Sequence, residues 1–189
     1  SVTIGGTVSP AGGNFDEPVT QATLKVVGAF HGLSRERSDA RKYPAINPTE
    51  SWSKYTGIIA MDRVEESRSI LKRSIEINQM MKVVGEEGTT AEDYITYQKG
   101  ELLDAVYLQQ NSFDPIDAAD SPERQRVEFD LLYDALMQQY DLEDKDEIRS
   151  FFNQLRQEFL DWHGTEFNSD AFEAQKNKIA DFYKSKAIA

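Results

Sequence analysis

The sequence predicts a mainly α protein, in which a C-terminal helical bundle follows a shorter segment with a strand, a helix and loops. From about residue 61 onward, apolar residues recur at helical spacing and typical N-cap residues precede the runs. Before that point, prolines and glycines divide the chain into short pieces. At 189 residues, 39% of them hydrophobic, the chain is long enough for an ordinary domain, or for part of one plus a smaller domain. We therefore expect two parts, residues 1–60 and residues 61–189.

The charge is negative and uneven. The net charge is −12, and residues 86–147 contain 18 acids and 4 bases, whereas the remainder is close to neutral. Nucleic acids and anionic lipids are bound by clustered lysine and arginine, so the composition argues against both as partners. The acidic stretch forms either a solvated surface or a surface that faces a basic partner.

The chain contains no cysteine, which excludes disulfides and is compatible with a cytoplasmic protein. No apolar run approaches the ~20 residues that span a bilayer, so we expect no direct membrane insertion. There is also no basic segment followed by an apolar one, as in a signal peptide.

Residues 1–8 alternate in hydrophobicity through Val2, Ile4 and Val8, which predicts a strand. A strand needs a sheet to satisfy its edges, and the later sequence supplies no convincing partner. The chain also does not begin with Met. We therefore expect a fragment of a longer protein, with the rest of the sheet upstream.

Residues 20–33 are predicted to form one helix, because Ala22, Val26, Ala29, Phe30 and Leu33 fall on one stripe. His31 lies beside the stripe without other metal-ligating residues at suitable spacing, so we interpret it as a structural histidine rather than a metal ligand. Residues 34–42 are basic and predict at most a short helical turn.

Tyr43 begins the run YPAINP, whose prolines Pro44 and Pro48 favour an extended or turned backbone. Phe113 has a similar setting in the run LQQNSFD at residues 108–114, which Pro115 terminates. From the residues alone, Tyr43 either packs at a domain edge or offers a binding surface, and Phe113 is typical of an aromatic that caps a helix end.

Four helices are predicted after residue 60, with a fifth at the C-terminus. The first covers residues 61–84, with Val64, Leu71, Ile75 and Met81 inward, and the next starts in a capping box at residues 89–92 and extends toward Gln110. The third covers residues 121–140, with Val127, Leu131, Ala135 and Leu136 inward. The fourth begins at Asp144 or Asp146, and Ser169 caps the last. Aromatic and aliphatic residues of these last two helices are interpreted as core: Ile148, Phe152, Leu155, Phe159, Trp162, Phe172, Ile179, Phe182 and Tyr183.

The run SPAGGNFDEPV at residues 9–19 closely resembles SPPGGDFSEPV of the catalytic A (alpha) subunit of V/A-type rotary ATPases, with departures at Ala11, Asn14 and Asp16. The YPAIN and LQQNSFD runs also resemble segments of that subunit. The related non-catalytic B subunit is a weaker match, because its counterpart of the opening loop lacks the Pro-Ala-Gly-Gly pattern.

This resemblance implies that residues 1–60 are the end of a RecA-like α/β nucleotide-binding domain and that residues 61–189 are the C-terminal helical domain. Tyr43, Pro44 and Phe113 would then belong to the adenine pocket, and the acidic turn at residues 85–88 would face the central stalk. The family uses ATP/ADP with Mg²⁺ and couples ATP hydrolysis or synthesis to H⁺ or Na⁺ transport. Expected partners are the non-catalytic B subunit and central-stalk subunits, in a cytoplasmic head peripheral to the membrane.

The catalytic groups of such an enzyme are missing from this sequence. Phosphate binding in the family uses the motif GxxxxGK[ST], and no Gly-Lys dipeptide occurs here. We therefore predict no catalytic residue, no metal site, no tightly bound nucleotide and no ATPase activity for the fragment by itself. The alternative from another class is a stand-alone acidic helical module that binds partners but no nucleotide.

Overall fold

The computed structural model describes residues 2–188, and these form seven α-helices and one two-stranded sheet. The helices are α1 (Pro18–Val26), α2 (Arg35–Asp39), α3 (Met61–Val84), α4 (Ala91–Leu103), α5 (Pro122–Met137), α6 (Lys145–His163) and α7 (Asp170–Lys184). The antiparallel strands are β1 (Ala29–Phe30) and β2 (Trp52–Ser53), with Ala29 opposite Ser53 and Phe30 opposite Trp52. Short 3₁₀ turns occur at Ala11–Gly13 and Glu86–Gly88, and a π-helical turn, Asp104–Leu108, continues α4. The prediction of a mainly α fold is confirmed.

The core lies among α3 to α7, as the sequence predicts. Ile148, Phe152, Leu155, Phe159 and Trp162 on α6 are all buried and pack against α7 and the end of α4. The indole nitrogen of Trp162 donates a hydrogen bond to the carbonyl of Phe172 at 3.0 Å, so the largest core side chain is also satisfied as a donor.

Three helix starts follow the predicted capping residues, whereas α4 begins one residue later than the capping box at residues 89–92 predicts, with Thr90 as its cap. Each cap side chain accepts a hydrogen bond from a backbone amide in the first turn, which satisfies a donor that the helix itself leaves unpaired. These caps are Thr90, Ser121, Asp144 and Ser169. The predicted bounds of α3 are confirmed, whereas α5 ends at Met137, short of the predicted Tyr140.

Small residues set the close approach of α3 and α4. A Cβ atom added at Gly100 would lie 2.3 Å from the Ser74 side chain, so a larger residue at this position would clash. Ser74 is buried, as are Leu71 and Ile77. Ile75, which the sequence predicts on the inner face, is instead 48% exposed. Leu71 of the predicted face is buried and Met81 packs against the core, so hydrophobicity misplaced only Ile75, at a contact built on a serine and a glycine.

Two predictions for the first part of the chain are wrong. Residues 2–8 of the predicted strand form no strand and expose Val2 and Ile4, while Ser1 lies outside the described residues. Without a neighbouring strand, this backbone has no ladder to join. The predicted helix at residues 20–33 ends at Val26, and residues 29–30 form β1 instead.

The glycines in this stretch explain its early change from helix to strand. Glycine is unfavourable in a helix interior, and the carbonyl of Gly28 accepts a hydrogen bond from the amide of Lys54 at 2.8 Å. His31 is exposed, so it does not have the packing role that the sequence predicted. The short turn predicted at residues 34–42 is confirmed as α2, which Ser34 caps.

Candidate functional site

The two aromatics singled out in the sequence line one open cleft of about 870 Å³. Tyr43 comes from the loop after α2 and is 54% exposed, and Phe113 comes from the loop before α5 and is 96% exposed. The cap-packing alternative for Phe113 is therefore wrong, because its ring packs on almost nothing. Other lining residues include Arg41, Gln109, Gln110, Arg156 and His163.

A hydrogen bond joins the two loops directly. The amide of Gln110 donates to the carbonyl of Tyr43 at 3.1 Å. This bond connects residues 67 positions apart in the sequence. Its acceptor belongs to the first aromatic residue, and its donor precedes the second by three residues.

The loop that carries Phe113 is held by its own polar groups. The Asp117 carboxylate accepts from the amide of Asn111 at 2.6 Å, and the Asp117 carbonyl accepts from the side chain of Gln110 at 2.7 Å. The Asn111 side chain in turn accepts from the amide of Phe113 at 3.1 Å. These bonds order the backbone while leaving the aromatic ring free.

Pro44 lines a different cavity, which adjoins the larger cleft. This smaller cavity has a volume of about 220 Å³ and shares Gln109, Gln110 and His163 with its neighbour. The Tyr43–Pro44 peptide bond is cis. Tyr43 and Phe113 thus line the same cleft, whereas Pro44 lines the smaller cavity beside it.

Buried charges surround the smaller cavity. The Arg124 guanidinium lies 3.0 Å from Asp120 and 2.7 Å from Glu128, and it donates to the carbonyls of His163 and Thr165. Burial raises the pKa of Glu128 to about 7, although Arg124 opposes this rise. Burial also lowers the pKa of His163 to about 4. The sequence analysis did not single out this group of residues.

A second ionic group, which we call the Asp104 cluster, consists of Asp104, Arg37 and Lys42. One carboxylate oxygen of Asp104 accepts from Arg37 and the other from Lys42, both at 2.6 Å. Burial lowers the pKa of Lys42, but hydrogen bonds and the charges of Asp104 and Glu101 outweigh this and raise the pKa above its ordinary value.

The sequence analysis also missed the Asp104 cluster. The available signal was an acid within the otherwise apolar run that contains Leu102, Leu103 and Val106, all of them buried. Such an acid requires a cation from elsewhere in the fold.

Two arginines of the helical part hold further loops of the first part. Arg68 on α3 donates to the carbonyl of Pro48 at 3.1 and 2.8 Å and also to that of Ser51. Arg126 on α5 donates to the carbonyl of Ile58 at 3.0 Å. Residues 2–60 are thus attached to the helices mainly through charged side chains and backbone carbonyls.

The cleft is chemically suited to a flat ring. Two exposed aromatic faces offer stacking surfaces, which accept any planar base. Among residues 2–188, no group of three or more His, Cys, Asp or Glu side chains is arranged to hold a metal ion. The two aromatic faces can stack against a planar ring, whereas the sequence lacks a GxxxxGK[ST] loop that would hold phosphates.

The acidic turn between α3 and α4 lies at one end of the bundle. Val83 and Val84 are exposed there, beside Glu86, which pairs with Arg149 of α6.

No helix in the part of the chain that the structure describes has the length and hydropathy needed to cross a membrane.

Comparison with known families supports this architecture. The model for the C-terminal domain of V and A type ATP synthase matches residues 61–149, and that for the nucleotide-binding domain of the ATP synthase alpha/beta family matches residues 1–53. Both models describe parts of ATP synthase subunits. Sequence relatives point to the same class, because V-type ATP synthase alpha chains match essentially the whole of this chain.

The chain is 60% identical over 188 residues to the V-type ATP synthase alpha chain of Borrelia turicatae. It is 59% identical over 187 residues to that of Treponema denticola. These matches cover 100% and 99% of this chain but only 33% and 32% of the relatives. The chain therefore spans about a third of the length of these relatives.

A solved structure of an ATP synthase subunit, NeqB from Nanoarcheaum equitans, is similar with a TM-score of 0.55. The match covers 65% of this chain and 31% of that one, at 16% sequence identity. At this identity the likeness concerns the fold alone.

Proposed function

We propose that this chain is the part of a rotary ATPase catalytic alpha chain that supplies the adenine-pocket walls and the helical domain facing the central stalk. One observation carries the proposal. Tyr43 and Phe113, on loops joined by a backbone hydrogen bond, expose their rings to the same cleft. Similarity to a nucleotide-binding domain is the reason to expect a nucleotide, and the cleft offers a place for its base.

The proposal extends to the whole subunit. ATP or ADP with Mg²⁺ would bind there, and ATP hydrolysis or synthesis would be coupled to H⁺ or Na⁺ transport. Its partners would be the non-catalytic B subunit and the central-stalk subunits, in a cytoplasmic head peripheral to the membrane. The division into residues 1–60 and 61–189 belongs to this proposal, and Pro44 would back the pocket wall rather than touch the base.

The residues of this chain would not perform the chemistry alone. Without a GxxxxGK[ST] loop, the fragment has no group to hold the terminal phosphates, so we expect neither ATPase activity nor tight nucleotide binding from it. The alternative of a stand-alone acidic interaction module is disfavoured, because V-type ATP synthase alpha chains match essentially the entire chain.

The test is truncation of each aromatic, Tyr43→Ala and Phe113→Ala, in the full-length subunit within its complex. Loss of a stacked base costs about 1–3 kcal/mol, so each variant should bind ATP about fivefold or more weakly. The maximal rate should change little, because the base is remote from the reacting phosphate. Tyr55→Ala, which removes an exposed tyrosine outside the cleft, is the matched control. Unchanged ATP affinity in both cleft variants would contradict the adenine-pocket assignment.

A further inference from the structure

We propose that Asp104 is a positioning residue for the nucleotide base, because it holds the loop of Tyr43 and the loop of Phe113 in one arrangement. This inference rests on the proposed function. It adds to that function a residue that acts through the two loops and not by contact with either aromatic ring. Asp104 is 5% exposed and is the first residue of the π-helical turn Asp104–Leu108.

The side chain of Asp104 fixes the first of these loops. Its two oxygens hold Arg37 on α2 and Lys42, which is adjacent to Tyr43 in the sequence. The Tyr43 loop therefore has a charged anchor directly before its aromatic residue.

The backbone of Asp104 supports the second loop. Its carbonyl accepts from the amide of Gln109 at 3.1 Å, at the end of the π-helical turn. The next residue, Gln110, donates to the carbonyl of Tyr43, and Phe113 follows three residues later. One residue thus contacts both loops that carry the cleft aromatics.

The charge of Asp104 is needed for this arrangement. Within the described residues, Nε and Nη2 of Arg37 are buried without a hydrogen-bond partner. The ion pair of Arg37 is made through Nη1, with Asp104. Removing one member of a buried ion pair leaves the other charge uncompensated, and the segment that bears it moves toward water. We expect α2 and the Tyr43 loop to shift when the charge is removed.

The experiment compares ATP with inorganic tripolyphosphate, which has no base, as ligands of the full-length subunit in its complex. Asp104→Asn should weaken ATP binding about fivefold, the lower end of the loss expected for one stacked base, and leave tripolyphosphate binding unchanged. Asp104→Glu, which retains the charge, should restore part of the ATP affinity. Asp93→Asn is the matched control, because it breaks an ion pair between α4 and Arg73 of α3, away from both loops.

The results separate this inference from the proposed function. If Tyr43→Ala weakens ATP binding and Asp104→Asn does not, or if Asp104→Asn weakens both ligands equally, the positioning role is wrong and the pocket assignment stands. If neither aromatic variant weakens ATP binding, the proposed function fails and this inference fails with it. Should Asp104→Asn not fold, Lys42→Gln changes only the more exposed partner, and the same selective loss of ATP binding is expected.

Discussion

Residues 2–60 and residues 61–188 differ sharply in how they are stabilised. Among the described residues, the core side chains begin at Leu71 and continue to Tyr183, so the helical part contains the apolar core. The first part instead exposes Val2, Ile4 and Val26 and is held to the helices by charged contacts. The candidate cleft lies where the two parts meet, with one aromatic from each.

This difference bears on how the cleft can work. Apolar packing has few alternatives and resists displacement, whereas a small number of ion pairs and carbonyl contacts can be rearranged by a change in charge. Phe113 thus lies on a loop that its own hydrogen bonds order, between two helices of the packed part. The position of Tyr43 depends on the Asp104 cluster.

The largest expected effect comes from truncating the core. Trp162→Ala removes a fully buried indole on α6 and should lower the free energy of unfolding by about 3–5 kcal/mol. Val26→Ala, at an exposed position of α1, should change it by less than about 0.5 kcal/mol. Chemical denaturation of both variants measures the contrast. Similar losses would mean that the two parts are stabilised alike.

An intermediate effect is expected from added volume. Gly100→Ala places a methyl group against Ser74 between α3 and α4 and should destabilise the fold by about 1–3 kcal/mol. Gly6→Ala is the matched change in the first part, where nothing lies within 4 Å of the added atom. Thermal unfolding should separate the two variants, and an unchanged midpoint for Gly100→Ala would refute the close helix contact.

A third expected effect, no larger than the second, concerns the pH dependence of stability, which should arise in the helical part. Glu128 has a folded pKa of about 7 against an ordinary 4.5, so the unfolded chain loses the proton first and stability falls as pH rises between these values. His163 has a pKa of about 4 against an ordinary 6.5, so the unfolded chain gains a proton first and stability rises with pH over that interval. The two trends oppose each other where they overlap.

Single variants should isolate each trend. We expect each variant to change the difference in the free energy of unfolding across the overlapping pH interval by about 1–3 kcal/mol. Glu128→Gln should leave stability rising with pH, and His163→Gln should leave it falling. Denaturation midpoints at several pH values measure both slopes, with His31→Gln as the control at an exposed histidine of the first part. Slopes of the same sign in the two variants would contradict the assignment of the buried groups.

The sequence predicted the helical part well because its signals are local. A serine or threonine cap, such as Ser121 or Thr90, acts within one turn, and the apolar spacing on α6 reports its own buried face. The same reasoning failed at residues 2–8, where a strand needs a partner, and at Ile75, where small residues set the contact face.

The candidate site was only partly predictable. Tyr43 and Phe113 were found from family resemblance and proline-bounded loops, and the structure places both in one cleft. The sequence marks Asp104 as an acid in an apolar run, but its partners could not be found by pattern, because they are 62 and 67 residues away in the sequence. Ion pairs at such separation have no periodic signature.

The most direct test of the central claim is a crystal structure of the full-length subunit in its complex with bound ADP. We expect the adenine ring to lie between Tyr43 and Phe113, with ring centroids about 4.5–7 Å apart, as in other aromatic pairs. An adenine ring bound elsewhere, with Tyr43 and Phe113 still exposed to solvent, would contradict the account.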